Sequence, residues 1–142
     1  MNLLSLLGYT MIKNSAIERK ETEAGEQRYN VYLQGCPARM VLERLADKWA
    51  LLIVGLLRTG PLRFNQLRRE IEGVSQKALS QTLKKLERDG LLSRKAFPTV
   101  PVTVEYALTP LGKTLSEAVE PLARWAEENI EDVLLSQSDY DQ

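Results

Sequence analysis

The amino-acid sequence predicts a mainly helical α+β fold, and three observations in its middle carry that prediction. First, Leu79, Leu83 and Leu86 recur at the spacing of one helical face, which predicts a helix from Ser75 to Asp89. Second, a shorter amphipathic segment precedes this helix across a turn that contains Gly73. Third, two segments rich in β-branched and aromatic residues follow it, joined by a proline-containing turn. Helix, turn, helix and hairpin in this order predict a winged helix-turn-helix.

Two helices are predicted between residue 36, where the domain is expected to begin, and the helix-turn-helix. Pro37 suits the first helical position because its missing N–H would have no partner within the helix. From Trp49 to Leu57 the sequence is apolar nearly all round, which predicts a deeply buried helix. Trp49 could stack on a ligand, but an aromatic residue in such a run is typical of core packing. Gly60 and Pro61 end this helix, and a short strand after them is expected to pair with the hairpin.

The helix-turn-helix and the hairpin each have sequence signals for where they begin and end. Phe64, Leu67 and Ile71 share one face of the first helix. Ser75 is placed to cap the second helix, and Gly90 is placed to end it in the left-handed conformation. The strands of the hairpin are predicted at Leu91–Phe97 and Val102–Leu108.

A long terminal helix is predicted to follow, capped by Thr109 with Pro110 in its first turn and kinked by Pro121. Apolar residues keep helical spacing from Leu111 to Val133. Unburied stripes of that size are rare on monomers, so we expect the helix to pack on a second copy of the chain; the alternative is that it covers only its own domain. The candidate interface residues are Leu115, Val119, Leu122 and Trp125. The predicted parts are an N-terminal appendage (1–35), the winged helix-turn-helix domain (36–109), the dimerisation helix (110–135) and a tail (136–142).

Charge is unevenly distributed along a chain whose net charge is zero. Arg63–Lys95 holds nine Lys and Arg against four acidic residues, a net +5, whereas Pro110–Gln142 holds two against eight, a net −6. This asymmetry favours an anionic partner at the centre of the chain and keeps the acidic end away from it.

The outer face of the predicted second helix carries the candidate DNA contacts. Lys77, Gln81, Lys84 and Arg88 fall opposite the leucines, with Ser80 and Lys85 on the flanks. Any solvated helix carries such residues, and only its place after a helix and a turn favours nucleic acid. Candidates for reading base edges are Gln76, Lys77, Ser80 and Gln81, and Ser75 is a further candidate DNA contact. Candidates for backbone contact are Lys84, Lys85, Arg88, Arg63, Arg68 and Arg69.

The residue inventory argues against several other classes of protein. With no His and a single Cys, Cys36, the side chains cannot form a zinc site or supply a histidine base. No phosphate-binding glycine loop or nucleophile elbow is present, and a thiol enzyme built on Cys36 would lack both a base and a resolving thiol. We therefore expect no enzyme activity and no cofactor. The apolar segment Leu3–Ile12 is too short for a membrane span and lacks the basic start of a signal peptide, so we expect a cytoplasmic protein without a membrane partner.

Several short motifs, taken together over residues 36 to 130, resemble the HxlR family of bacterial winged-helix transcriptional regulators, relatives of the MarR group. The motifs are CP at Cys36 and Pro37, KW at Lys48 and Trp49, RF-x-x-L from Arg63, S-x-K-x-L-S-x-x-L from Ser75, L-x-x-D-G-L from Leu86 and VEY-x-LTP-x-G from Val104, with Trp125 in the last helix. The resemblance implies a homodimer joined by its terminal helices, with helix Ser75–Asp89 in the major groove and the wing near the flanking backbone. Phe97 and Thr103 depart from the family's usual wing, where a Tyr-Pro and an Arg precede Val-Glu-Tyr, so Arg94 and Lys95 are the wing candidates for DNA contact.

Cys36 is a candidate redox sensor. It precedes Pro37, near the unpaired N–H groups of a predicted helix N-terminus, and Arg39 can approach from the first turn; both favour the reactive thiolate. HxlR-like proteins with this Cys are suspected to sense oxidants or electrophiles. The alternative is a small buried hydrophobe that packs at the helix start. With one Cys per chain, reversible oxidation gives either a bond between protomers or a mixed adduct with a small thiol.

These observations predict a sequence-specific transcriptional regulator that binds double-stranded DNA as a homodimer. Two-fold symmetry requires a near-palindromic operator whose half-sites lie about one turn apart, roughly 34 to 36 Å. The alternative is a winged-helix module that binds a protein through the same face and no DNA.

Overall fold

The computed structural model describes residues 28–142 of the chain. The chain divides into two compact units, Met1–Asp47 and Lys48–Gln142. The helices are α1 (Ala38–Ala46), α2 (Lys48–Leu56), α3 (Phe64–Glu70), α4 (Gln76–Arg88) and α5 (Pro110–Tyr140), and the strands are β1 (Leu62–Arg63), β2 (Leu92–Phe97) and β3 (Thr103–Leu108). Residues 1–27 of the predicted appendage lie outside the described residues, and the division of the chain into the four predicted parts remains a prediction.

The described part of the first unit is a turn followed by α1. The Arg39 guanidinium donates to the carbonyl oxygens of Val31 (2.9 Å) and Tyr32 (2.8 Å), which ties the turn to the first turn of the helix. Pro37 is the N-cap residue, one position before the predicted one, with φ −65° and ψ −24°. Three apolar residues of α1 are largely exposed in the single chain: Met40 at 50%, Val41 at 44% and Leu42 at 53%.

Helix α2 lies at the centre of the second unit, but only one of its faces is buried. Ala50, Ile53 and Val54 are completely buried, while Leu52 on the opposite side is 43% exposed. The prediction of burial nearly all round is therefore wrong, because α4 and α5 pack against part of the helix surface and leave the remainder uncovered in the single chain. Trp49 packs against the core while the Lys48 ammonium lies 4.5 Å from its ring centroid.

The helix-turn-helix has the predicted bounds and caps. Leu67 and Ile71 of the first helix face are buried, and Gly73 turns the chain with φ +87°. The Ser75 hydroxyl accepts from Ala78 N at 3.0 Å, which begins α4, and Gly90 ends it with φ +76°. The leucines predicted to face the core, Leu79, Leu83 and Leu86, are 0–1% exposed.

A three-stranded antiparallel sheet completes the winged helix-turn-helix, with β3 between β1 and β2. Leu62 pairs with Tyr106, so the predicted short strand before the helix-turn-helix is confirmed. Leu92 pairs with Leu108, and both are buried at the base of the hairpin. Farther out the hairpin leaves the core, and Val100 at its tip is fully exposed. The predicted fold class is confirmed.

Helix α5 runs for 31 residues and continues through Pro121 to Tyr140, five residues beyond the predicted end of the dimerisation helix at residue 135. Its first three turns pack on the domain: Gly112, Ser116 and Val119 are buried, and Leu115 packs partly against the core. Val119 comes so close to α2 that a Cβ on Gly55 would lie 3.5 Å from its Cγ1. Val119 therefore belongs to the core of its own chain rather than to the predicted dimer interface. Leu115 packs partly against the same core, so only part of its side chain is available to that interface.

Candidate nucleic-acid interface

Helix α4 presents a polar face to solvent while its leucines enter the core. Even Thr82, which lies among the leucines, satisfies its hydroxyl within the helix by donating to Ala78 O at 2.8 Å. The opposite side, which we call the recognition face, consists of Gln76, Lys77, Gln81, Lys84, Lys85 and Arg88, all exposed, together with the half-buried Ser80. The helix thus separates residues that hold the fold from cationic and amide groups available to an anionic partner.

A groove of about 630 Å³ runs beside the recognition face, between the start of α3 and the hairpin. Its lining residues are Arg63, Phe64, Asn65, Gln66, Arg69, Gln76, Ser80, Pro101, Val102, Thr103, Val104 and Tyr106. Four of the predicted site residues thus meet in one place: Arg63, Arg69, Gln76 and Ser80. One wall is cationic and the wall formed by the hairpin is mainly apolar, so the groove offers both positive charge and apolar contact area.

Two polar residues of the groove were absent from the sequence-based prediction. Asn65 is exposed and lies one helical turn before Arg68 and Arg69, a spacing that would have revealed it on the same face of α3. Gln66 is half-buried, and its Oε1 accepts from Arg63 N at 3.0 Å. Gln66 therefore fixes the start of α3 as well as lining the groove.

Ser75 occupies the predicted N-cap position of α4, and this bears on its candidacy as a DNA contact. Its hydroxyl oxygen caps α4 by accepting from Ala78 N, because the first N–H groups of a helix lack partners within the helix. Its side chain is committed to the fold, so the candidates for reading bases begin at Gln76.

The wing places its two cations on opposite faces of the hairpin. Arg94 is in register with Tyr106, and Lys95 with Glu105, and successive residues of a strand point to opposite sides. Arg63 is also in register with Glu105. Lys95 and Arg63 therefore flank one carboxylate across the sheet, and the Lys95 ammonium also lies 5.0 Å from the Phe97 ring centroid.

The tip of the wing carries no charge. From residue 96 to residue 103 the sequence AFPTVPVT has no ionisable side chain, and Val100 and Val102 are exposed. The Thr99 hydroxyl makes 2.9 Å contacts with Pro101 O and the Thr103 hydroxyl, so it is engaged within the turn. The cations of the wing, Arg94 and Lys95, lie in the middle of β2 and not at this uncharged tip.

Cys36 is a free thiol, partly accessible to solvent, in the turn before α1. Its backbone N–H donates to Leu33 O at 3.1 Å and its carbonyl accepts from Arg39 N at 3.2 Å. The Arg39 guanidinium, predicted to approach the sulfur, donates to the Val31 and Tyr32 carbonyls, which are stronger acceptors than a thiol. The predicted help of Arg39 to the thiolate is therefore corrected.

Over residues 28–142, no group of three or more His, Cys, Asp and Glu side chains is placed to hold a metal ion. In the same part of the chain, no helix combines the length and the apolar character needed to cross a membrane.

Comparison with known proteins identifies a family that shares this helix-turn-helix. The model of the HxlR-like helix-turn-helix family matches residues 44–133. The HTH-type transcriptional regulator YtfH of Escherichia coli K12 is 50% identical over 105 residues, covering 74% of this chain and 83% of the relative.

Solved structures give the same result. The transcriptional regulator YtfH from Salmonella typhimurium superposes with a TM-score of 0.74 at 45% identity, covering 78% of this chain and 99% of that one. The redox regulator HypR in its reduced form superposes with a TM-score of 0.63 at 36% identity, covering 70% and 98%. The resemblance seen in the sequence motifs is confirmed: the chain belongs to the HxlR-like helix-turn-helix family and is a transcriptional regulator of the helix-turn-helix type.

Proposed function

We propose that this regulator binds double-stranded DNA in the cytoplasm as a homodimer on a near-palindromic operator. The observation that carries the proposal is the recognition face, whose cationic and amide side chains adjoin a groove with Arg63 and Arg69 on its wall. Phosphates are bound by such cations, and base edges are read by amides and amines in the major groove. No catalytic step is part of this function.

The recognition face divides into two parts by distance from the helix start. Gln76, Lys77, Ser80 and Gln81 occupy the first two turns, the part of a recognition helix that reaches base edges. Gln reads adenine through its amide, and Lys reads guanine O6 and N7. Residues outside those turns contact phosphates and fix the register of the protein: Lys84, Lys85, Arg88, Arg63, Arg68, Arg69 and, from the wing, Arg94 and Lys95.

The dimer forms through the exposed stripe of α5. Leu122 and Trp125, 54% and 58% exposed, lie beyond the turns that pack on the domain. Helical spacing places them on the same face as Leu111, Val133 and Tyr140, which are also exposed. A second copy of the same stripe is its simplest cover, and the two-fold axis this creates brings two recognition faces to one side of a duplex.

Oxidation of Cys36 regulates this binding. The thiol is partly accessible, and HypR, a relative of similar fold, is described as a redox regulator. The oxidised product is a bond between two protomers or an adduct with a small thiol, because the chain has no second Cys.

The test begins with selection of bound duplexes from a random pool by the purified wild-type protein. Binding of a selected duplex should weaken linearly in log K against log salt. Lys84→Ala should reduce that slope by about one unit per protomer and leave sequence preference unchanged, while Gln81→Ala should relax preference at one position per half-site.

Lys113→Ala is the matched control, because this exposed cation lies on α5, away from the recognition face. It should leave both slope and preference at the wild-type value. A slope near zero for the wild type would contradict the phosphate contacts, and unchanged preference in the Gln81 variant would remove that residue from the readers. If no duplex is retained even at low salt, the same face binds a protein instead.

A further inference from the structure

Two of the sequence motifs, D-G-L after α4 and L-T-P-x-G before α5, meet in space at a point that the proposed DNA contacts do not use. The D-G-L motif ends the recognition helix and the L-T-P-x-G motif begins the helix proposed to join two protomers. We call this meeting point the junction and define it by Gly90, Leu91, Thr109 and Gly112.

Thr109 is the centre of the junction because it bonds to both helices. Its hydroxyl donates to Gly90 O at 2.6 Å and accepts from Gly112 N at 3.0 Å. Its backbone N–H donates to Leu91 O at 3.0 Å. One hydroxyl therefore caps α5 and, at the same time, donates a hydrogen bond to the residue that ends α4.

The surrounding backbone leaves little freedom for this arrangement to shift. Leu91 N donates to Leu86 O at 3.0 Å, which ties the gripped segment to the last turn of α4. Gly112 packs so closely that a Cβ there would overlap the Leu91 carbonyl oxygen and come within 3.2 Å of Leu108 Cδ2. The first turn of α5 thus rests directly on the backbone that ends the recognition helix.

We propose that Thr109 is a positioning residue, which fixes the angle between the recognition helix and α5 and so sets the separation of the two recognition faces in the dimer. The inference rests on the proposed function. The axis of α5 is held at its base by the junction and farther along by the packing of Ser116 and Val119 against the domain. Without the hydrogen bond to Gly90 O the junction holds the base of α5 less firmly, and the helix gains freedom to tilt about Val119.

The geometry makes small angular changes matter. Val133 of the exposed stripe lies fourteen residues beyond Val119, roughly 21 Å along the helix at 1.5 Å per residue, so a tilt of about 5° about Val119 displaces it by roughly 2 Å. Neighbouring base pairs are spaced by about 3.4 Å. A tilt of this size in both protomers is comparable with a register shift of one base pair between half-sites.

The decisive variant is Thr109→Asp, with Thr109→Ser as its matched control. Aspartate is a preferred N-cap and still accepts from Gly112 N, but its carboxylate has no proton to donate to Gly90 O. Serine keeps both bonds. A second control, Thr114→Val, removes a hydroxyl of the same helix that bonds only to Leu111 O within it.

The first measurement needs no DNA. Spin labels are attached at Glu87→Cys on α4 and Glu128→Cys on α5, both exposed, in a Cys36→Ser background diluted with unlabelled protein. Double electron–electron resonance then gives the distribution of the distance between labels within one chain. Thr109→Asp should broaden it relative to the parent, whereas Thr109→Ser and Thr114→Val should leave it narrow.

The second measurement uses a selected duplex and copies with one base pair inserted or removed between the half-sites. Thr109→Asp should reduce the preference for the selected spacing by roughly fivefold, the factor that one lost hydrogen bond supplies, with single half-site affinity unchanged. If the wild type binds no duplex, the proposed function fails, while the label distances still decide the role of Thr109. A folded Thr109→Asp protein with the parent's narrow distribution would overturn the proposal and leave Thr109 as a cap. If that variant does not fold, Thr109→Val takes its place in both measurements.

Discussion

Gln81 and Leu83 lie two residues apart on one helix and have opposite surroundings. Leu83 is 1% exposed within the core, and Gln81 is exposed on the recognition face. Their difference follows from the helical period alone, which turns the chain by about 100° per residue. At this scale, periodicity tells which residues hold the fold and which are offered to a partner.

Two glycines inside helices should respond oppositely to alanine. In Gly112→Ala the new Cβ overlaps the Leu91 carbonyl oxygen, which is held by the Thr109 N–H, so the free energy of unfolding should fall by about 2 kcal/mol or more. In Gly55→Ala the Cβ makes an ordinary 3.5 Å contact with Val119, and Ala has a higher helix propensity than Gly. The free energy of unfolding should therefore change by between zero and roughly +1 kcal/mol. Urea unfolding of both variants measures the difference. Equal effects would contradict the tight contact at the junction.

Cys36 should respond to diamide in a way that Cys36→Ser does not. We expect the oxidised wild type to lose or gain affinity for a selected duplex by several-fold and, if protomers are joined, to run as a dimer on a non-reducing gel. Dithiothreitol should reverse both changes, because disulfides are reducible. A wild type and a Cys36→Ser protein that respond alike, or a native thiol that resists alkylation, would assign Cys36 to packing.

Among the elements, those with local signals agree with the sequence-based prediction. Helix α4 has a capping serine, a leucine stripe and a terminal glycine, and both its ends are where these residues place them. The hairpin likewise follows from its β-branched residues and its proline turn.

Where prediction and structure differ, the deciding information lies outside the local pattern. Leu52 is as apolar as its neighbours, yet its exposure depends on how much of α2 the helices α4 and α5 cover. Val119 has the spacing of an interface residue, and its burial depends on how closely α5 approaches α2 at Gly55. Helical spacing places Asn65 on the same face of α3 as Arg69, but that this face lines a groove depends on the hairpin beside it, which is a long-range contact.

The wing shows how a departure in sequence changes the expected balance of contacts. Its tip is uncharged, and Lys95 shares its side of the sheet with Glu105. The salt dependence of binding should therefore arise mainly from the recognition face and α3, while the wing contributes apolar contact beside the groove.

At the scale of the whole molecule, positive and negative charge are segregated between two segments of the chain. The segment Arg63–Lys95, net +5, includes the recognition face, and the segment Pro110–Gln142, net −6, forms α5 and the last residues. In a dimer joined through α5, repulsion between the acidic helices and phosphate turns the basic surfaces toward the duplex. The same acidic helices repel one another, so their association must rest on apolar burial.

That balance makes the oligomeric state sensitive to one substitution. Trp125→Glu replaces an exposed apolar ring of the α5 stripe by another carboxylate, which association would bury without a partner. We expect the wild type to be a dimer at micromolar concentration by light scattering and the variant to be a monomer. The monomer should keep its helical circular dichroism, because Trp125 lies outside the core of its own chain, and should bind a selected duplex as weakly as a single half-site. Lys113→Glu changes the charge of the same helix near its base and should remain a dimer. A monomeric wild type, or a Trp125→Glu protein that stays dimeric, would contradict the proposed interface.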